Sequence, residues 1–263
     1  MESTKSVHNK LNLPSAIAFL LKVLSNITIE PSLFLINFGD VLDDISFTQM
    51  VLFKSCTVDF GFNETVCNDL VDYEDANKIV QDEAASFSVY QTLVATIFPI
   101  FFSFYLGAWC DLFGRKLLFK VYLSARCLDQ MVVLICAIFI NSPKEYLLLA
   151  RIPSSLAGGK SVFGLVTYAF IADVSSPDTR SFRFGMIFFI SILASTFAPS
   201  VGAYLLSSGG YVCVFSVSLL LTILAALFLI VRIRNFNWQS EKQNVRSVLI
   251  CSQPIVSKSF QHL

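Results

Sequence analysis

The chain has 263 residues, of which 55% are hydrophobic and 14% charged, with a mean hydropathy of +0.67 and no net charge. A soluble domain carries about 25% charge, so an ordinary soluble fold is excluded. The zero balance excludes a global pull toward nucleic acid or acidic partners.

Six apolar segments follow in chain order. The first lies within 15–47 and is interrupted by Lys22, Asn26 and Glu30. A second reading of this region takes Lys5, Lys10, the apolar run 16–24 and Val23-x-Ser25 as a cleaved signal peptide. The charge distribution favours an intact first span. The other segments cover 86–106, 117–140, 146–172, 184–207 and 211–231. Each supplies the roughly 20 apolar residues that cross a hydrocarbon core. An all-α membrane protein of six transmembrane helices is expected.

Lysine and arginine set the orientation. Lys5 and Lys10 precede the first segment; Arg115, Lys116 and Lys120 follow the second; Arg180 and Arg183 follow the fourth. Arg232, Arg234, Lys242 and Arg246 follow the sixth, while Lys54, Lys78 and Lys144 fall on the other side. Residues 1–14 are therefore expected as a cytoplasmic amino terminus, 15–231 as the six-helix domain and 232–263 as a cytoplasmic tail.

Residues 41–85 are expected as an extracellular or lumenal loop. Asp43, Asp44, Asp59, Glu64, Asp69, Asp72, Glu74, Asp75, Asp82 and Glu83 face only Lys54 and Lys78 there. A solvated acidic connector is the plain reading, and an electrostatic mouth for protons or cations the sharper one. Asn63-Glu64-Thr65 is a glycosylation sequon. Cys56 and Cys67 bracket it and are candidates for a local disulfide. A second sequon, Asn26-Ile27-Thr28, is expected to be unused.

The next charged turn is Gly107-Ala108-Trp109-Cys110-Asp111-Leu112-Phe113-Gly114-Arg115-Lys116. Beyond it, ionisable groups lie within spans, where each is a functional candidate. Arg126 and Asp129 are three residues apart on one helix face. They read either as a neutralising pair or as a coupling and substrate site. Arg151 and Lys160, nine apart, are expected on nearly opposite faces of one continuous helix. Arg151 is the better candidate for a cavity that takes an anionic group, with Lys160 paired elsewhere. Gly158 and Gly159, with Ser154, Ser155 and Ala157, offer a small surface for helix packing. Pro99, Pro153 and Pro199 fall within spans, and 198–202 is the most hinge-like stretch.

Both histidines, His8 and His262, are terminal, and no phosphate-binding glycine loop is present. Neither enzyme chemistry, a cofactor, a metal nor nucleic acid is expected.

The pattern G-x-x-x-D-x-x-G-R-K, on Gly107, Asp111, Gly114, Arg115 and Lys116, resembles the loop between the second and third helices of the major facilitator superfamily. Arg151 resembles the arginine of that superfamily's fourth-helix motif. Ile29-Glu30-Pro31 with Phe34-Leu35-Ile36-Asn37-Phe38 is similar to the first helix of the proton-coupled folate transporter family. Gly61-Phe62-Asn63-Glu64-Thr65-Val66-Cys67 and Tyr168-Ala169-Phe170-Ile171-Ala172-Asp173-Val174 resemble two of its loops. The resemblance implies the amino-terminal six-helix half of that fold. It implies a secondary active carrier, proton-coupled, for folate-like or other organic anions, in the plasma or lysosomal membrane. Its partners would be the lipid bilayer, a small organic solute, protons, and a second transporter half or a homodimer. The alternative is a truncated, non-transporting membrane protein that binds or modulates a full-length transporter. In the superfamily, the aspartate matching Asp111 faces a helix end in the second half.

Overall fold

The computed structural model describes residues 29–113, 115–175 and 177–234. Every regular element among them is helical. Helix α1 is Glu30–Lys54, with proline in its first turn, Glu30 at the positive end of its dipole and Lys54 at the negative end. A π-helical turn, Ser55–Asp59, leads to a short α2, Glu64–Asn68, and a 3-10 turn, Leu70–Asp72. Then come α3, Glu74–Phe113, and α4, Arg115–Ile138. Helices α5, Glu145–Leu156, α6, Gly159–Val174, and α7, Pro177–Arg234, complete the fold.

Four described segments are long and apolar enough to cross a membrane: Glu74–Phe102, Lys116–Ile138, Glu145–Val174 and Thr179–Arg232. Helix α1 is not among them, because it carries Asp40, Asp43 and Asp44 in mid-course. The supposed loop 41–85 is therefore largely helical. Helix α1 runs on to Lys54 and α3 begins at Glu74, leaving a connection less than half the expected length. The acids in α1 need no loop, because cations from other helices meet them.

Helix α7 has 58 residues. At about 1.5 Å per residue it would greatly exceed a hydrocarbon core of about 30 Å. Gly210 divides it, with φ 68° and ψ −171°, a conformation that costs glycine little. The stretch 198–202, expected as a hinge, stays helical around Pro199. Gly202 instead permits close packing: a Cβ there would lie 3.2 Å from Leu42 Cδ2.

Both limbs of α7 pack on α1. Asn37 Nδ2 donates to Ser191 Oγ at 3.1 Å, and Ser218 Oγ donates to the Gly39 carbonyl at 2.9 Å. Leu42 is buried with Ala198 from one limb and Val214 from the other.

Two apolar clusters bracket a polar layer. One joins Ile29, Leu33 and Ile36 to Phe119, Tyr122, Phe163, Ile187 and Leu229. The other joins Phe47, Met50 and Val51 to Phe87, Val133, Leu147 and Phe215. On α1 the intervening residues include Asp40, Asp43 and Asp44; on α4 they include Arg126 and Asp129. Outside, large apolar side chains such as Phe101, Phe104, Tyr105, Phe188 and Phe189 are exposed, as a lipid-facing surface requires.

Candidate functional site

The polar layer is a network of ion pairs around a cavity of about 240 Å³. Asp40, Asp43 and Asp44 stand at i, i+3 and i+4 on α1, so they share one face. Arg126 reaches back from α4 to that face. Its Nε donates to Asp40 Oδ1 at 3.0 Å, Nη2 to Asp43 Oδ2 at 2.8 Å, and Nη1 to Asp129 Oδ2 at 2.8 Å. Arg126, Asp43 and Asp129 are all at most 2% exposed. A buried guanidinium is tolerable only with such partners, since an unpaired charge there costs several kcal/mol.

Arg151 enters from α5. Its Nη1 donates to Asp43 Oδ2 at 3.3 Å and to Asp129 Oδ2 at 3.4 Å, and its guanidinium lies 4.3 Å from the Phe47 ring centroid. Its Nε and Nη2 have no hydrogen-bond partner, and neither do Asp43 Oδ1 and Asp129 Oδ1. Lys160, on α6, donates to Asp44 Oδ2 at 2.6 Å and lies 3.8 Å from Asp40 Oδ2. Three cations thus meet four carboxylates. Arg151, Lys160, Arg126, Asp129 and Asp44 all line the cavity, with Tyr122 and Gln91.

The expected separation of Arg151 from Lys160 is therefore incorrect. Spacing assumed one continuous helix, but Gly158 and Gly159 have φ of 92° and 63° and split it into α5 and α6. The break re-aims α6 so that Lys160 faces the same cavity. The glycines also pack closely, as a Cβ on Gly159 would lie 3.2 Å from Pro99 Cγ.

Two further polar contacts hold the helices together, one beside the charged layer and one at the start of α1. Gln130 Nε2 donates to Ser218 Oγ at 2.8 Å, joining α4 to α7 and, through Gly39, to α1. Arg183 on α7 donates to Glu30 Oε1 from Nη2 at 2.7 Å and from Nε at 3.1 Å, tying the start of α1 to α7.

Ionisable side chains held inside an apolar helical bundle mark a functional candidate in a membrane protein. The family model described as Major Facilitator Superfamily matches residues 33–258. The chain belongs to the major facilitator superfamily. It is an integral membrane protein from a family of solute transporters, not of enzymes. Among curated superfamily relatives, it is 31% identical over 209 residues to the bovine (Bos taurus) proton-coupled folate transporter. That match covers 78% of this chain and 45% of the relative. The Rattus norvegicus proton-coupled folate transporter is 28% identical over 203 residues, covering 76% and 44%. The Drosophila melanogaster protein named "Probable peptidoglycan muropeptide transporter SLC46" is 26% identical over 254 residues, covering 89% and 49%. The chain spans about half the length of the curated relatives it matches.

The superfamily loop is only partly described. The backbone is helical through Asp111 and Phe113 and again from Arg115, but Gly114 and the side chains of Asp111 and Arg115 lie outside the described residues. Gly107 lies within α3, and Lys116 is half-buried at the start of α4. Cys56 and Cys67 are joined in a disulfide, with Cα atoms 5.7 Å apart. Asn63 is exposed and precedes α2. Residues 1–28, including the second sequon and the start of the first apolar segment, lie outside the described residues, as does 235–263.

Sequence reasoning missed Asp40, Asp43 and Asp44 as site residues. Their shared helical face was a signal in the spacing, but three acids near an acidic stretch read as a solvated end. It also missed Lys54, which is buried. Its Nζ donates to the carbonyls of Phe139, Ile140 and Ser142 and to Ser142 Oγ, at 3.3, 2.7, 3.0 and 2.9 Å. The ammonium thus caps the chain leaving α4, whose last carbonyls have no helical partner.

Proposed function

We propose that the charged layer is the solute and proton site of a secondary active carrier for organic anions. The observation that carries this reading is Arg151. A buried guanidinium with two unpartnered nitrogens beside a cavity is a fork prepared for a carboxylate. The layer holds one carboxylate more than it holds cations, and in this reading the extra carboxylate is the place for a coupled proton. Folate, for which two relatives are named, bears carboxylates and suits such a fork.

In this reading the helices form six spans: α1, α3, α4, α5 with α6, and the two limbs of α7 around Gly210. Both termini are cytoplasmic, Asn63 is glycosylated on the opposite side, and the loop at Asp111 gates against a second half. Superfamily carriers place solute between two six-helix halves near mid-membrane, so a second half completes the site. It is supplied by further sequence, by a homodimer or by another chain. A second reading is a non-transporting protein that binds a full-length carrier.

Uptake into proteoliposomes separates the two. Reconstituted protein should accumulate radiolabelled folate or another organic anion when the outside is acidified, and Arg151→Ala should abolish that uptake while remaining monodisperse. Full uptake by Arg151→Ala would remove Arg151 from the site. Absence of saturable uptake, with insertion verified, would favour the second reading.

A further inference from the structure

One carboxylate of the charged layer differs from the other three. Asp40, Asp43 and Asp129 are buried and all three bind Arg126. Asp44 has a side chain 51% exposed and lies against the cavity. Its Oδ2 is 2.6 Å from Lys160 Nζ, and its Oδ1 is 3.8 Å from Arg151 Nη2, beyond hydrogen-bond reach. That Nη2 is one of the two unpartnered nitrogens of Arg151. The carboxylate of Asp44 therefore stands where an incoming carboxylate would have to sit to use both cations.

We infer that Asp44 is a resident anion, holding the seat between Arg151 and Lys160 until a proton neutralises it and a solute carboxylate takes its place. This rests on the reading of the cavity as an organic-anion site. Two carboxylates cannot share the same two cations without strong repulsion. Asp44 is the most exposed of the four acids, so water and an incoming solute reach it before the other three.

The groups around it agree. Asp40 stands one turn earlier on α1 and shares Lys160. Arg151 faces it from α5 and Lys160 from α6; Arg126, Asp129 and Tyr122 line the same cavity from α4. From α3 come the uncharged Gln91 and Ala95. When the Asp44 carboxylate takes up one proton, three cations face three carboxylates. A solute carboxylate entering then restores the original excess. One proton and one carboxylate thus exchange for the charge of Asp44: an O–H bond forms on Asp44, hydronium gives up the proton and leaves as water, and no other covalent bond changes.

The test measures binding rather than transport, on the full chain in nanodiscs, with radiolabelled folate and succinate as probes. For the wild type, binding should strengthen about tenfold or more between about pH 7.5 and about pH 5.5. Asp44→Asn should bind at the higher pH at least as tightly as wild type does at the lower, with little pH dependence left. Asp44→Ser, which removes the carboxylate without leaving an amide, should behave alike and guards against a folding defect of one variant. Unaltered pH dependence in both variants would overturn the inference while leaving the anion site intact. Weaker binding in both would also overturn it, by making Asp44 a ligand rather than a competitor. No binding of either probe by wild type or variants would overturn the anion-site reading, and this inference with it.

Discussion

Arg126 and Asp43 are 83 positions apart in the chain and 2.8 Å apart in the folded protein. The contact fastens α4 to α1 at the level of the cavity, and it is shared: Asp43 also receives Arg151. Losing one member leaves the rest of the network charged and buried.

Arg126→Met should therefore destabilise more than any single apolar truncation nearby. It leaves Asp43 and Asp129 with only Arg151, at 3.3 and 3.4 Å, and Asp40 with only Lys160, at 3.8 Å, and breaking a buried pair costs about 3–5 kcal/mol. Thermal unfolding in detergent, followed by loss of the monodisperse peak, would read this. A wild-type midpoint would mean that the three acids find other partners.

Gly158→Ala should disturb the site without touching a charge. The residue has φ of 92°, and an added Cβ would lie 2.5 Å from Val162 Cγ2. The left-handed backbone alone costs about 1–2 kcal/mol for a residue with a Cβ. The expected outcome is a lower unfolding midpoint. It should come with a lower yield of cross-linking between cysteines placed at 44 and 160, because straightening α5 into α6 swings Lys160 away from Asp44.

Lys54→Met should weaken the end of α4. The change removes the donor to three carbonyls and one hydroxyl; the Phe139 carbonyl keeps the Ser142 N–H at 3.0 Å, and any buried acceptor left unsatisfied costs about 1–3 kcal/mol. Hydrogen exchange should rise in the stretch that follows Ile138, and unchanged exchange there would show that water takes over the cap.

Lys144 gives a pH dependence of known sign. It pairs with Glu83 and, at 2.6 Å, with Asp59. Burial opposes its charge, but the two carboxylates outweigh burial and hold its pKa above the usual 10.5. A group whose pKa is higher when folded stabilises fully below its unfolded value and loses that contribution as pH rises through its folded value. The difference in unfolding midpoint between wild type and Lys144→Met should be constant from about pH 7 to about pH 10 and shrink above that. A difference that grows with alkalinity would contradict the pairing.

The sequence made some of this plain and concealed the rest for identifiable reasons. The long apolar runs behind α3, α4 and α7 could be read directly, because hydropathy over about 20 residues needs no tertiary information. The pairing of Arg126 with Asp129 was also within reach, since three residues along a helix is a local distance. Asp40 and Asp43 were not, because their partner lies on another helix and nothing local distinguishes a paired acid from a hydrated one. Lys160 was misplaced for the opposite reason. Helical spacing was applied across Gly158-Gly159, where a left-handed turn resets the phase. Pro199 drew attention as a hinge, yet proline within a long helix can be absorbed by neighbours, and the true interruption fell at Gly210.

The separation of Arg126 from α1 has a consequence for biogenesis. In the six-span arrangement, three aspartates must enter the bilayer region long before their counter-ions exist. At about 5–20 residues per second, an 83-residue gap is roughly 4–16 s of translation. An aspartate at mid-membrane disfavours insertion by about 2.5–3.5 kcal/mol. Helix α1 should therefore linger at the translocon, or in the care of an insertion chaperone, until α4 and α5 arrive. A chain stalled on the ribosome before Arg126 emerges should leave α1 extractable by alkaline carbonate, and one stalled after Arg151 should not.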